Sequence, residues 1–120
     1  MCIEEHEFAD ICRRFQSMAG KAKMYWSGAA DDYLSKYGFS DAYDKSTKRT
    51  YYKSRDECGR LQEWASSLRF QGSHVQICDQ LQILSRALTK ITIDRKDWFQ
   101  AEELRQRTAR LMQRLTALNM

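Results

Sequence analysis

The sequence predicts an all-α protein, an antiparallel bundle of four main helices plus one short helix. Three observations lead there. The 120 residues contain no proline and only five glycines, a composition that disfavours a turn-rich sandwich or barrel and favours long helices on short connections. Apolar residues recur at three- and four-residue steps along most of the chain, the period of a helix face. The single stretch with strand character, Ile91-Thr92-Ile93, has no second stretch to pair with, so it reads as a connection.

The first helix is expected from about Ile3 to Trp26, with Phe8, Ile11, Cys12, Phe15, Met18, Ala19, Ala22 and Tyr25 as its apolar stripe. Acids lead it and bases follow, in the sense the helix dipole favours. Ser27-Gly28 offers a stop, and the short helix is placed at Ala29 to Tyr37, with Asp31 and Asp32 in its first turn and Gly38 at its end. Ser40 is the expected N-cap of a long central helix that reaches Phe70. Its stripe includes Tyr43, Thr47, Thr50 or Tyr51, Ser54, Cys58, Leu61, Ala65 and Leu68, and the weak helix formers Ser46 to Thr50 suggest a kink. Gly72-Ser73 reads as a stop and restart. The next helix carries Val75, Cys78, Leu81, Leu84 (or Ile83), Leu88 and Ile91, and is expected at the centre as the most apolar segment. Asp94, with Asp97 three residues on, caps a last helix that runs through Trp98, Ala101, Leu104, Thr108, Leu111 and Leu115 to about Leu118.

The length suits one domain, residues 1–120, able to bury its own core. No apolar run approaches the roughly 18 residues of a membrane span, and the acidic start (Glu4, Glu5, Glu7, Asp10) is unlike a secretory or transit segment. A cytoplasmic protein with no membrane partner is expected, its four irregularly spaced cysteines kept as thiols. The formal net charge is only +4, but charge is segregated: residues 1–10 carry −4, 11–28 carry +4, 29–44 carry −3, 45–55 carry +5 and 105–120 carry +4. Blocks of this kind create local fields that the net value conceals.

The strongest candidate site is the block from Lys45 to Arg55. Lys45, Lys48, Arg49, Lys53 and Arg55 have no acid between them, and Tyr51 and Tyr52 lie among them. That mixture is what phosphate backbones and stacked bases require. Arg107, Arg110 and Arg114, on the basic face of the last helix, are added to the nucleic-acid-binding set. The competing structural reading is a solvated face with local pairs such as Lys53 with Glu57. A second set, Tyr25, Trp26, Tyr33, Tyr37, Phe39 and Tyr43, crowds six rings into about twenty residues and suits a protein-interaction surface, although several are expected to pack a helix end.

Two Cys/His pairs at four-residue spacing, Cys2 with His6 and His74 with Cys78, form the only conceivable zinc set. Knuckle spacings are absent and cysteines on apolar stripes behave as small hydrophobes, so no metal and no other cofactor is expected. A helix-turn-helix around Gly72 would need bases early in its second helix, and they are lacking. There is no phosphate-cradling glycine loop, nucleophile motif or metalloprotease pair, and the adjacent acids Asp31-Asp32 and Glu102-Glu103 diverge on a helix. The expectation is a binding protein and not an enzyme. It would be an accessory subunit contacting RNA or DNA backbone within a larger nucleoprotein assembly, with self-association left open. The alternative is a protein-binding inhibitor or adaptor of the kind that phages and mobile elements encode, docking through its aromatic cluster and acidic segments.

Overall fold

The computed structural model describes residues 2–118, and among them every regular element is helical. Helix α1 (Ile3–Tyr37) is a single run of 35 residues, about 52 Å long at 1.5 Å per residue. Cys2 caps it, its Sγ accepting the Glu5 backbone N–H at 3.4 Å. Phe8, Ile11, Cys12, Phe15, Met18, Ala19 and Ala22 are all buried, as their spacing predicts. Tyr25 is not, being half exposed; its neighbour Trp26 turns inward instead.

The expected break at Ser27-Gly28 does not occur. Residues 29–37 form the last turns of α1, not a separate short helix. Gly28 keeps helical backbone, the only positive φ among the described residues being that of Gly72. A glycine inside a helix costs about 1 kcal/mol relative to alanine. Burial of Ala30 and the packing of the Trp26 and Tyr33 rings on Tyr51 outweigh that local cost.

Helix α2 (Lys45–Ser67) returns along α1 in the opposite direction. Tyr33 meets Tyr43, Trp26 meets Tyr51, Phe15 meets Trp64 and Phe8 meets Phe70, with ring centroids 5.6–6.1 Å apart, the α1 numbers falling as their partners' rise. The N-cap is Asp44, not Ser40: its carboxylate accepts the Ser46 N–H at 3.0 Å and the Thr47 hydroxyl at 2.9 Å. Ser40 instead closes a tight turn by accepting the Ala42 N–H at 3.0 Å. The helix runs unbroken through Ser46 to Thr50, with the Thr50 hydroxyl bonded back to the Ser46 carbonyl at 2.9 Å. It ends at Ser67, before the expected Phe70, which packs on Phe8 from the following loop.

Gly72, at φ +88°, supplies a left-handed turn that a side chain would strain. It leads directly into Ser73, whose capping box with Gln76 starts α3 (His74–Ala87). The buried stripe of α3 is Ile77, Leu81, Leu84 and Ala87; Val75 and Ile83 are exposed. A 3₁₀ turn (Leu88–Ile91) extends it. Asp94 then accepts the Asp97 N–H at 2.8 Å at the start of α4 (Arg95–Leu118). Ala101, Leu104, Thr108, Leu111 and Leu115 face the core, whereas Trp98, expected on that stripe, is half exposed beside Phe99. Buried Thr108 satisfies its hydroxyl on the Leu104 carbonyl at 2.7 Å.

One ionic contact ties α4 to α1. The Arg107 guanidinium donates to both Glu7 oxygens at 2.9 and 3.0 Å and to Asp10 at 2.7 Å. Asp10 is also held from its own helix by Arg14, at 3.1 Å, and by Arg13. These hydrogen bonds, with Arg107 first in both cases, hold the Glu7 and Asp10 carboxyls below their ordinary range despite the opposing effect of burial.

The structure measures 63 × 25 × 20 Å. Helix α4 packs along the first half of α1, and the 3₁₀ turn reaches α2 where Lys90 pairs with Glu57 at 3.1 Å and Cys58 lies against the Lys90 carbonyl. Beyond that level the two long helices continue as an arm. The ring contacts and side-chain hydrogen bonds found for residues 24–56 are all made within α1, α2 and the loop between them. At the arm's end the Tyr33 hydroxyl accepts the Asp44 N–H at 2.8 Å and donates to the Asp44 carbonyl at 3.4 Å. No helix of the described residues is long and apolar enough to cross a membrane.

Two outcomes follow. Replacing Arg107 with methionine leaves two carboxylates without their shared cation and should lower stability at neutral pH by about 1–3 kcal/mol. Because both carboxyls titrate below their unfolded values, the contribution is full above the ordinary carboxylate range and fades as pH falls through the lowered values. Urea midpoints of the two proteins should therefore be separated at pH 7 and converge in acid; a gap independent of pH would refute the ionic account. Tyr33→Phe removes two hydrogen bonds but keeps the ring. Amide exchange should quicken several-fold, for about 0.5–1.5 kcal/mol, in the first turns of α2 and the loop before it. Amides of α3 and α4 should not change.

Candidate nucleic-acid interface

The site is built by helix periodicity on α2. Lys45, Arg49 and Lys53 recur at four-residue steps, Lys48 and Tyr52 lie beside them, and Arg60 continues the same face two turns on. With Tyr43 and Asp56 they line one open groove of about 450 Å³. From Lys45 to Arg60 the face extends about 22 Å along the helix. Lys45, Arg49, Lys53 and Arg60 are exposed, and Lys48 is half-buried.

Arg55, expected among the binding cations, does not line the groove but holds two residues that do. The Arg55 guanidinium lies over the Tyr52 ring, 4.5 Å from its centroid, and the Lys48 ammonium lies 5.8 Å from the same ring. Arg55 is also paired with Asp56, at 2.9 Å. Tyr51 points the other way, packed between Trp26 and Tyr33. Of the two tyrosines expected to offer a stacking face, Tyr51 is part of the contact between α1 and α2. Lys53 and Glu57 do not pair as the helix spacing suggested, because Glu57 turns to Lys90.

The cations of α4 belong elsewhere. Arg107 is occupied by Glu7 and Asp10, its side chain only 15% exposed. Arg110 and Arg114 are exposed, and Arg114 is near enough to Glu7 to help lower its carboxyl. Since α4 meets α1 at Glu7 and Asp10 while Asp44, next to Lys45, meets α1 at Tyr33, Lys45 and Arg107 are about 35–39 Å apart along α1, and the near end of the groove, at Arg60, is about 22 Å closer. No residue of α4 lines the groove.

The aromatic set divides similarly. Tyr33 packs on Tyr37, Tyr43 and Tyr51, and Trp26 stacks on Tyr51 while meeting the edge of Tyr25. These rings close the arm. Tyr25 is half exposed and Phe39, in the loop at the arm's tip, is fully exposed. Sequence reasoning missed Arg60 and Asp56 as groove residues; the signal is present in the three- and seven-residue steps from Lys53, but Arg60 lies beyond the basic block, among the core positions Cys58, Leu61 and Ala65.

The Cys/His pairs are not assembled. Cys2 caps α1, Cys78 lies against the Met112 carbonyl, and no group of three or more His, Cys, Asp or Glu among the described residues is arranged to hold a metal ion. All four cysteines are free thiols. Burial pushes the Cys12 thiol up to about 11 and raises that of Cys58, so both stay protonated at neutral pH. Comparison with known protein families, curated proteins and solved structures finds no match for this chain.

Proposed function

We propose that this chain is a non-enzymatic, nucleic-acid-associated accessory subunit, an antiparallel four-helix bundle whose first hairpin carries the binding face. The observation that supports it is the groove on α2, where Lys45, Lys48, Arg49, Lys53 and Arg60 converge around a single acid, Asp56. Five cations within about 22 Å of rigid helix is a density that a phosphate backbone matches and that folding does not require. Three of them, Lys45, Arg49 and Lys53, are like charges at four-residue spacing, an arrangement that destabilises a helix by a few tenths of a kcal/mol per pair. Placement on a projecting arm suits a subunit that reaches a nucleic acid held in a larger assembly.

A second reading rests on a different observation. Phe39 is fully exposed at the tip, with Tyr25 half exposed and Asp31 and Asp32 exposed on α1. On this reading the arm docks on a protein, as an inhibitor or adaptor would. Recovery of partners from native lysate separates the two: nuclease treatment should release a partner bridged by nucleic acid and leave a protein docked on Phe39.

With five phosphate contacts, affinity for a generic duplex oligonucleotide should fall about 500-fold between about 50 and 200 mM salt. Lys48→Glu, Arg49→Glu and Lys53→Glu together should abolish the binding while circular dichroism retains full helicity. Absence of binding by the wild type at low salt would sink the proposal, and loss of helicity in the triple variant would show the segment to be structural. Removing the one groove acid tests the opposite sign. Asp56→Asn should tighten binding about 1.5- to 5-fold, the range of one exposed charge contact, and a variant that binds more weakly would place the ligand off this groove.

A further inference from the structure

The groove that supports the proposed function also bears on which form of nucleic acid it takes. Proteins that hold single strands combine a basic track with open aromatic faces on which bases stack. This groove has the track, and the two rings that line it, Tyr43 and Tyr52, already have partners. Tyr52 lies under the Arg55 guanidinium and near the Lys48 ammonium. Tyr43 is engaged by Tyr33 at 6.0 Å. Tyr51 is turned into the contact with α1. The rings that remain open, Phe39 and Tyr25 on the arm, are not among the residues that line the groove.

Resting on the nucleic-acid reading, we infer that the α2 groove takes the phosphate backbone of a duplex, without base contacts, and that Tyr52 is a positioning residue that steadies Lys48 in the groove and Arg55 beside it. A duplex presents one negative charge per roughly 1.7 Å of axis, the highest density available to a purely ionic face. The groove's length of about 22 Å covers some six to seven base-pair steps.

The test is a fluorescence anisotropy titration of the full chain at about 0.1 M salt against three probes: a mixed-sequence 20-nucleotide strand, its duplex, and an abasic strand of equal length. Five contacts favour the duplex over the strand about ten-fold at that salt, from the different counterion release of the two forms. The abasic strand should bind within about two-fold of the base-bearing one. Tyr52→Leu should change single-strand affinity by no more than about three-fold, against at least about five-fold for loss of a stacking ring. A strand that binds as tightly as the duplex, a larger loss on removing the bases, or a larger loss with Tyr52→Leu overturns the duplex inference and leaves the nucleic-acid reading standing. Failure of all three probes to bind, at low salt as well, overturns that reading and this one with it.

Discussion

The constraint on which the rest of the structure depends is a mismatch of lengths. Helix α1 is one 35-residue rod, but its continuous apolar stripe ends at Ala22, the level at which α3, the 3₁₀ turn and α4 stop supplying partners. About fifteen further residues have α2 alone to pack against. A two-helix contact buries less per residue than a core, and the chain makes it with rings. Trp26, Tyr33, Tyr37, Tyr43 and Tyr51 interlock, and Ala30 lets the helices close between them. Rings bury the most area per residue and lose little rotamer freedom, which a thin contact requires. The tyrosine hydroxyl on the Asp44 backbone then fixes where α2 begins.

At the other end the problem is reversed. All five elements meet there, and Ile11, Phe15, Leu81, Leu84, Leu88, Leu111 and Leu115 are fully buried in one apolar core. The Arg107 contact with Glu7 and Asp10 sits at its margin and joins residues a hundred positions apart. Its geometry, two-pronged and half shielded from water, is the kind that outweighs the loss of hydration. It also fixes how far α4 slides along α1, which a stripe of similar leucines does not specify on its own.

Much of this was legible in the residues. The helical class, the inward face of α1 to Ala22, the Ser73 and Asp94 caps and the last helix to Leu118 all follow from period and capping chemistry. The misreadings share a cause: each was a local signal overruled by a partner distant in sequence. Gly28 looked like a stop until α2 lay beside it. Tyr51 could be read as a stripe residue or as an open ring until Trp26 and Tyr33 enclosed it, and Arg107 looked like a surface cation until Glu7 reached it. Ser40 lost the cap to Asp44, whose carboxylate reaches both the backbone and Thr47. For the candidate site, the basic block was visible as composition. Its extension to Arg60 and its separation from the α4 arginines depend on which helices pair, and no single segment contains that information.

These points bear on the weak helix propensity of the Lys45–Arg55 block. Read alone, a run of cations with Ser46, Thr47 and Thr50 suggests a segment that orders only when an anion arrives. In the folded chain the ordering is done by the arm: Asp44 caps the first turn, Tyr51 is locked against α1, and Thr50 bonds back to Ser46. The entropy of ordering is thus spent in folding, not in binding. What the ordered helix keeps is mutual repulsion among cations held at fixed, short spacing, and no ion pair among the described residues involves Lys45, Arg49 or Lys53. Under the proposed reading an approaching polyanion relieves that repulsion and meets a surface already in place, so the arm favours binding through rigidity as well as through charge.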